Sequence, residues 1–168
     1  MRRVSAPCFS LPSGVPFIYI NKGMGKIAIQ KAEAHHAPQI ARLLGQLGYP
    51  NRPGEVREKI SALSASEADR IWIAQFGGKP VGLLAFHLTP LLHAPGNLGR
   101  ITALVVDGQF RGKGVGRRLV ETAERWGWKR NCTRIELTSG VERTQAHQFY
   151  QDLGYAVESK RFIKRKAK

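Results

Sequence analysis

"ALVVDGQFRGKGVGRRLVETA", Ala103 to Ala123, passes from an apolar run through alternate glycines into a helical pattern. The segment ALVV suits a buried strand, and Val115, Leu119, Val120, Ala123 and Trp126 recur at helical spacing. Between them, RGKGVG (Arg111–Gly116) sets three glycines at alternate positions among cations. Without side chains at Gly112, Gly114 and Gly116 the backbone can approach an oxyanion closely. Successive N–H groups where a helix begins are positively polarised, so such a turn favours phosphate. Lys113, Arg117 and Arg118 add charge within reach of further phosphates.

Three phosphate-binding templates compete for this loop. A nucleotide-triphosphate loop needs GxxxxGK followed by Ser or Thr. Here Gly108 and Gly112 are separated by three residues, and Lys113 is followed by Gly114, so that template fails. A dinucleotide fingerprint needs GxGxxG and an acidic residue ending a later strand. The chain has GxGxG, and Glu136 falls inside "RIELT" rather than at its end. The remaining pattern, [QR]xxGx[GA] between strand and helix, is met by Arg111, Gly114 and Gly116.

Working outward, Lys26 to Gln30 suits a short strand, and Pro38, Ile40, Leu43, Leu44 and Leu47 repeat helically up to Gly48-Tyr49-Pro50. Glu55 to Leu63 suggests a second helix. Arg70 to Phe76 and Pro80 to Leu88 are rich in strand formers, with Gly77-Gly78 marking a tight hairpin. Gly99 to Val106 is the strand before the glycine loop, and Arg134 to Thr138 follows its helix. Ala146 to Leu153 reads as a helix ended by Gly154, and Tyr155 to Ile163 as a closing strand. The order is β-α-α-β-β-β-α-β-α-β, an α/β (α+β) arrangement.

The 168 residues are enough for one domain with a real core. Residues 1–23 carry three prolines, no acidic residue and no sustained period. They read as a dispensable basic extension before a single domain over 24–168. Cys8 and Cys132 are the only cysteines, which fits a reducing cytoplasm. No apolar run approaches the ~20 residues of a membrane span, so no membrane partner is expected. The five histidines show no metal-binding spacing, and no metal is expected. Against these ordinary features stands a formal charge of +15, from 27 Lys and Arg against 12 Asp and Glu. Such a field attracts polyanions, although basic composition alone also produces it.

The glycine stretch, followed in order by "RIELTS" (Arg134–Ser139) and "AHQFYQDLGY" (Ala146–Tyr155), resembles the GNAT acetyltransferase superfamily, whose members bind acetyl-CoA. The resemblance covers about Lys26 to the C-terminus, and its specific part is Arg100 to Tyr155. "VGLLAFHLTPLLH" (Val81–His93) and "AHQFYQDLGY" look similar to small-molecule members, including the aminoalkylphosphonate type. The family's fold implies a mixed central sheet of about six to seven strands with about four helices.

The resemblance also assigns roles. The backbone of Leu104, Val105 and Val106 would run beside the pantetheine arm. Arg111, Gly112, Lys113, Gly114, Val115 and Gly116 would hold the pyrophosphate. Tyr150 matches the helix tyrosine that protonates the departing thiolate; alone, it would read as a core residue of an amphipathic helix. Glu136 matches a strand glutamate that serves as general base in part of the superfamily. It would equally suit a surface glutamate paired with Arg134 or a lysine. His87 and His93 could line the acceptor pocket or relay protons through water.

Two departures stand out. The strand "GRITALVV" carries neither acid nor histidine, which removes the commonest base position. "VERTQAH" offers Arg143 or Thr144 where the family often has a cofactor-contacting asparagine, and no role is carried to either. The sequence therefore implies an acetyl-CoA-dependent N-acetyltransferase acting on a small-molecule amine, by direct attack in a ternary complex. Protein or peptide acetylation and a non-catalytic acyl-CoA-binding module are the alternatives. A homodimer is left open, and a nucleic-acid partner is the weaker account of the charge.

Overall fold

The computed structural model describes residues 27–158 and 161–166. The extension 1–23, Lys26, Cys8 and the last two residues of the basic tail lie outside them. Five strands form one sheet in the order β1-β2-β3-β4-β5. They are β1 (Ile27–Lys31), β2 (Asp69–Phe76), β3 (Lys79–Pro90), β4 (Asn97–Val106) and β5 (Cys132–Leu137). The four helices are α1 (Ala37–Leu47), α2 (Pro53–Ala65), α3 (Val115–Trp128) and α4 (Thr144–Gln151). The first four strands pair antiparallel, and β5 joins β4 in parallel, giving a mixed α+β sheet.

Local chemistry sets the boundaries. Gly48 takes φ 97° after α1, and the Gly48 and Tyr49 N–H groups bond back to Gly45 and Leu44, closing the helix with a left-handed cap. Pro53 opens α2, where its missing N–H costs no helix bond, and Glu55 accepts from the Arg52 N–H at 3.2 Å. Gly77 and Gly78 both have positive φ, which suits the twist of the β2–β3 hairpin.

The sheet separates two apolar layers. On one face α3 packs Val115, Leu119, Val120 and Ala123 against Trp72, Leu84, Phe86 and Ile101. Trp72, Phe86 and Trp126 meet edge-on, with centroids 5.6–6.3 Å apart. On the other face α1 and α2 bring Ile40, Leu43, Val56 and Ile60 onto Ile73, Leu83 and Val105.

The sheet is smaller than the sequence suggests. Among the described residues of the closing strand expected over Tyr155–Ile163 no strand forms: 155–158 and 161–166 have no regular structure. Val157 and Phe162 are almost fully exposed, and Arg161, Lys164, Arg165 and Lys166 surround the apolar pair Phe162-Ile163. Strand-forming residues become a strand only when one face can be buried, and this alternation offers none.

The pairing of β4 with β5 is short, and that positions the site. It runs from Asn97 to Ile101, where Leu137 is the last partner. Beyond Ile101 the strand stays paired to β3 as far as Val106, while its other edge has no strand beside it among the described residues. Ala103 faces Ala85 and Ile101 faces Phe86, which leaves Thr102 as an extra residue. This bulge bends β4 where it leaves β5.

The closed half is held by close packing. A Cβ on Gly99 would lie 2.5 Å from Phe86 Cζ and 3.0 Å from Ile135 Cγ1. Phe86 is wedged between two tryptophans and cannot yield. Gly99→Ala is therefore expected to cost about 1–3 kcal/mol. Urea unfolding should show a lower midpoint with an unchanged slope; an unaltered midpoint would contradict the packing.

Candidate functional site

Where β4 and β5 part, a cleft of about 880 Å³ opens. One wall is β4 (Leu104, Val105, Val106) with the glycine loop, and the opposite wall is α4 from Arg143 to Tyr150. Gln46 and Leu47, at the end of α1, also line it.

The three glycines of the loop do different work. Gly112 and Gly114 take φ 71° and 75°, left-handed conformations that side chains resist. A Cβ on either would meet nothing within 4 Å. The space before the backbone is open there, as an approaching oxyanion requires. Gly114 is the N-cap of α3, so the unbonded N–H groups of the first turn are presented at this place. Gly116 differs: its Cβ would lie 3.1 Å from Phe149 Cζ, so its small size lets α3 and α4 pack together.

The cations also divide. Arg111 lines the cleft and donates from Nε to the Val106 carbonyl at 3.1 Å. Arg117 lines it too and reaches the Asp152 carbonyl at 3.4 Å. Lys113 sits over the Phe110 ring at 5.2 Å and is not part of the cleft lining. Arg118 turns away to the Ile27 carbonyl at 3.4 Å, and burial lowers its pKa.

The loop is tied to α1 through Asp107, which the sequence reading left unassigned. Its buried carboxylate pairs with Arg42 at 2.6 Å and accepts from the Gln109 N–H at 3.1 Å. Gln46 adds a weak contact to Asp107 at 3.5 Å and accepts from the Gly108 N–H at 3.1 Å. Asp after a strand and two residues before a turn N–H is a recurrent capping signal, and it was legible on those grounds.

Tyr150 lies in the cleft, half-buried on α4. Burial pushes its phenol above the ordinary range, against a smaller downward pull from the Arg143 guanidinium. The phenol is therefore a proton donor throughout the neutral range. The neighbouring Tyr155 donates to Glu124 at 2.9 Å, and burial with that carboxylate drives its pKa strongly up.

Glu136 and His87 come together at a different place. The strand registers align Asp69 with His87, His87 with Arg100, and Arg100 with Glu136, in one polar row across β2 to β5. His87 Nδ1 is 2.8 Å from Asp69 Oδ1, and Arg100 pairs with Glu136. The row lies one residue pair before the strands part, on the face that α1 and α2 cover further along. None of its members lines the cleft itself. His93 is exposed in the β3–β4 loop and is likewise outside the lining.

Among the described residues no group of three or more His, Cys, Asp or Glu could hold a metal ion, and no helix is long and apolar enough to cross a membrane. Sequence reasoning missed Gln46, Leu47, Phe110 and Phe149, which reach the cleft through long-range packing. It also gave no role to Arg143, which lines the cleft.

A family model described as the acetyltransferase (GNAT) family matches residues 37–155. An uncharacterized N-acetyltransferase of Methanocaldococcus jannaschii is 32% identical over 103 residues, 61% of this chain and 45% of that protein. The aminoalkylphosphonate N-acetyltransferase of Salmonella typhimurium is 33% identical over 92 residues, 55% of this chain and 60% of that protein. The matches thus span about half the length of these relatives. An aminoglycoside N-acetyltransferase solved with coenzyme A shares the fold, with TM-score 0.76 and 18% identity, over 88% of this chain and 99% of that one.

The electrostatics of Asp107 yield a test. The Gln109 N–H, with help from Arg42, holds its carboxyl below the ordinary carboxylate range, while burial opposes them. A depressed folded pKa stabilises the protein above the unfolded value and loses that contribution as pH falls through the folded one. Asp107→Asn should be about 1–3 kcal/mol less stable near pH 7. The gap should close below about pH 4; a gap that stays constant down to pH 2 would count against this account.

Proposed function

The chain belongs to the acetyltransferase (GNAT) family, and from that premise we propose an acetyl-CoA-dependent N-acetyltransferase acting on a primary amine of a small molecule. Direct attack within a ternary complex is the proposed route. One observation carries the reading: the free edge of β4, the glycine loop and Tyr150 border a single cleft. The named activity of the Salmonella relative, an aminoalkylphosphonate N-acetyltransferase, supports a small acceptor.

Acetyl-CoA supplies an activated acyl group on a thiol leaving group. The residues present fit it. Gly112, Gly114 and the first turn of α3 form an open cradle of N–H groups for a pyrophosphate, with Arg111 beside it. At Leu104, Val105 and Val106 the edge of β4 turned away from β3 has no strand beside it among the described residues. N–H groups on that edge can therefore meet the pantetheine amides or hold the developing oxyanion, while Arg111 occupies the Val106 carbonyl. Val115 and Gly116 continue the cradle into α3. Lys113, stacked on Phe110, contributes charge at longer range.

In the proposed transfer, the amine nitrogen forms its bond to the carbonyl carbon as the carbon–sulfur bond breaks. Tyr150 gives its proton to the departing sulfur. Glu136, next to the parting of the strands, takes the proton that the ammonium must lose, reached through water from the cleft. Arg100 fixes the orientation of its carboxylate.

Thiol release from acetyl-CoA across a panel of small amines tests the proposal. Tyr150→Phe should lower kcat by about a hundredfold or more while leaving the acetyl-CoA KM nearly unchanged. Glu136→Gln should slow turnover at neutral pH and recover toward wild type near pH 10, where amines lose their proton unaided. Wild-type affinity for acetyl-CoA with no transfer to any amine would favour a binding module instead. Turnover with peptides alone would replace the small acceptor.

A further inference from the structure

The glycine loop accounts for two of the three arginines in the cleft, and Arg143 is left over. Arg111 and Arg117 stand on the loop side, where the donor's pyrophosphate is expected. Arg143 stands on the opposite wall at the start of α4. It is the N-cap of α4, seven residues before Tyr150, and both side chains border the cleft.

The guanidinium is fixed by a main-chain carbonyl, and its carboxylate partner is largely exposed. Its Nη2 donates to the Leu47 carbonyl at 2.8 Å, which joins α4 to the end of α1 across the mouth of the cleft. Its carboxylate partner, the largely exposed Glu142, forms a loose ion pair with Nε at 3.9 Å, too long for a hydrogen bond and weakened by solvent. An arginine has five N–H donors, and one bond to a carbonyl leaves most of the fork available. A planar fork with two parallel donors matches a carboxylate or phosphonate better than any neutral group.

This cation also constrains what can enter. The cleft is lined by Arg111, Arg117 and Arg143 against a single carboxylate, that of Glu142, so a simple alkylammonium would approach net positive charge. An amine tethered to an oxyacid meets the opposite sign and gains a bidentate contact. Resting on the transferase reading above, we infer that Arg143 recognises the acceptor through its anion, and that the acceptor is a small primary amine bearing a carboxylate or phosphonate. Arg143 is thereby the specificity-determining residue for the acceptor, and the donor relies on the loop.

The protein, saturated with coenzyme A, is titrated calorimetrically with 2-aminoethylphosphonate, β-alanine and the neutral control n-propylamine. The same amines are compared as acceptors by kcat/KM. At least one anionic amine should bind more tightly than n-propylamine, and the stronger of the two identifies the oxyacid. Arg143→Gln should weaken that binding by about 10- to 100-fold. Its affinity for coenzyme A should be preserved, which also reports an intact fold. Arg143→Lys should recover only part of the loss, because it keeps charge without the fork.

Equal binding of anionic and neutral amines by the wild-type protein would overturn the inference. So would an Arg143→Gln defect in coenzyme A affinity with acceptor preference unchanged, since that would place Arg143 on the donor. Anion binding that depends on Arg143 without any acetyl transfer would sink the transferase reading alone and leave the anion site standing.

Discussion

The parting of β4 from β5 after Ile101 and Leu137 is the constraint on which the rest of the structure turns. A strand inside a sheet satisfies its polar backbone on both edges, and an edge left open within a fold needs another partner. Here β4 keeps β3 on one side to Val106 and gives up β5 on the other. The opening begins at a definite place because the closed half is packed too tightly to shift. A Cβ on Gly99 would collide with Phe86, and one on Gly127 would lie only 3.1–3.3 Å from Phe86, Cys132 and Ile135. Thr102 then bulges and bends the strand away. An extended ligand with its own amides can replace the missing strand.

The glycine loop follows directly from that edge, and its three glycines obey different physics. Gly112 and Gly114 are conformational, while Gly116 is steric and joins the two helices that flank the opening. Asp107 fastens this turn to α1 through Arg42 and Gln46. The anion cradle and the far end of the cleft are thus parts of one tied unit.

The large positive charge is used in an unexpected way. Arg70, Arg111, Arg117, Arg118 and Arg143 each donate to a main-chain carbonyl rather than to a carboxylate. Arg70 and Arg130 also stand over the Trp126 ring, with guanidinium carbons 5.0 and 4.5 Å from its centre. With 27 cations and 12 acids, ion pairing cannot absorb the excess. Carbonyl caps and aromatic faces take up part of it, and Arg143, capped by the Leu47 carbonyl, keeps only a loose ion pair with Glu142.

Much of this was legible in the chain. Helical spacing announced α1 and α3, paired glycines announced the β2–β3 hairpin, and the ordered blocks around RGKGVG announced the strand, loop and helix, because these signals act within a few residues. The polar row of Asp69, His87, Arg100 and Glu136 was not legible, since it exists only through the registers of four strands. Nor was the lack of a strand among the described residues of Tyr155–Ile163, where propensity was present and a face to bury was not. By itself the sequence determined which segments become helix, strand and anion-binding turn, because backbone conformation and periodicity are local properties. Tertiary structure alone decided that Gly116 packs against Phe149, that Arg118 leaves the loop and that Arg143 closes on Leu47. Those outcomes depend on which distant surfaces meet, and only packing brings them within a few ångströms.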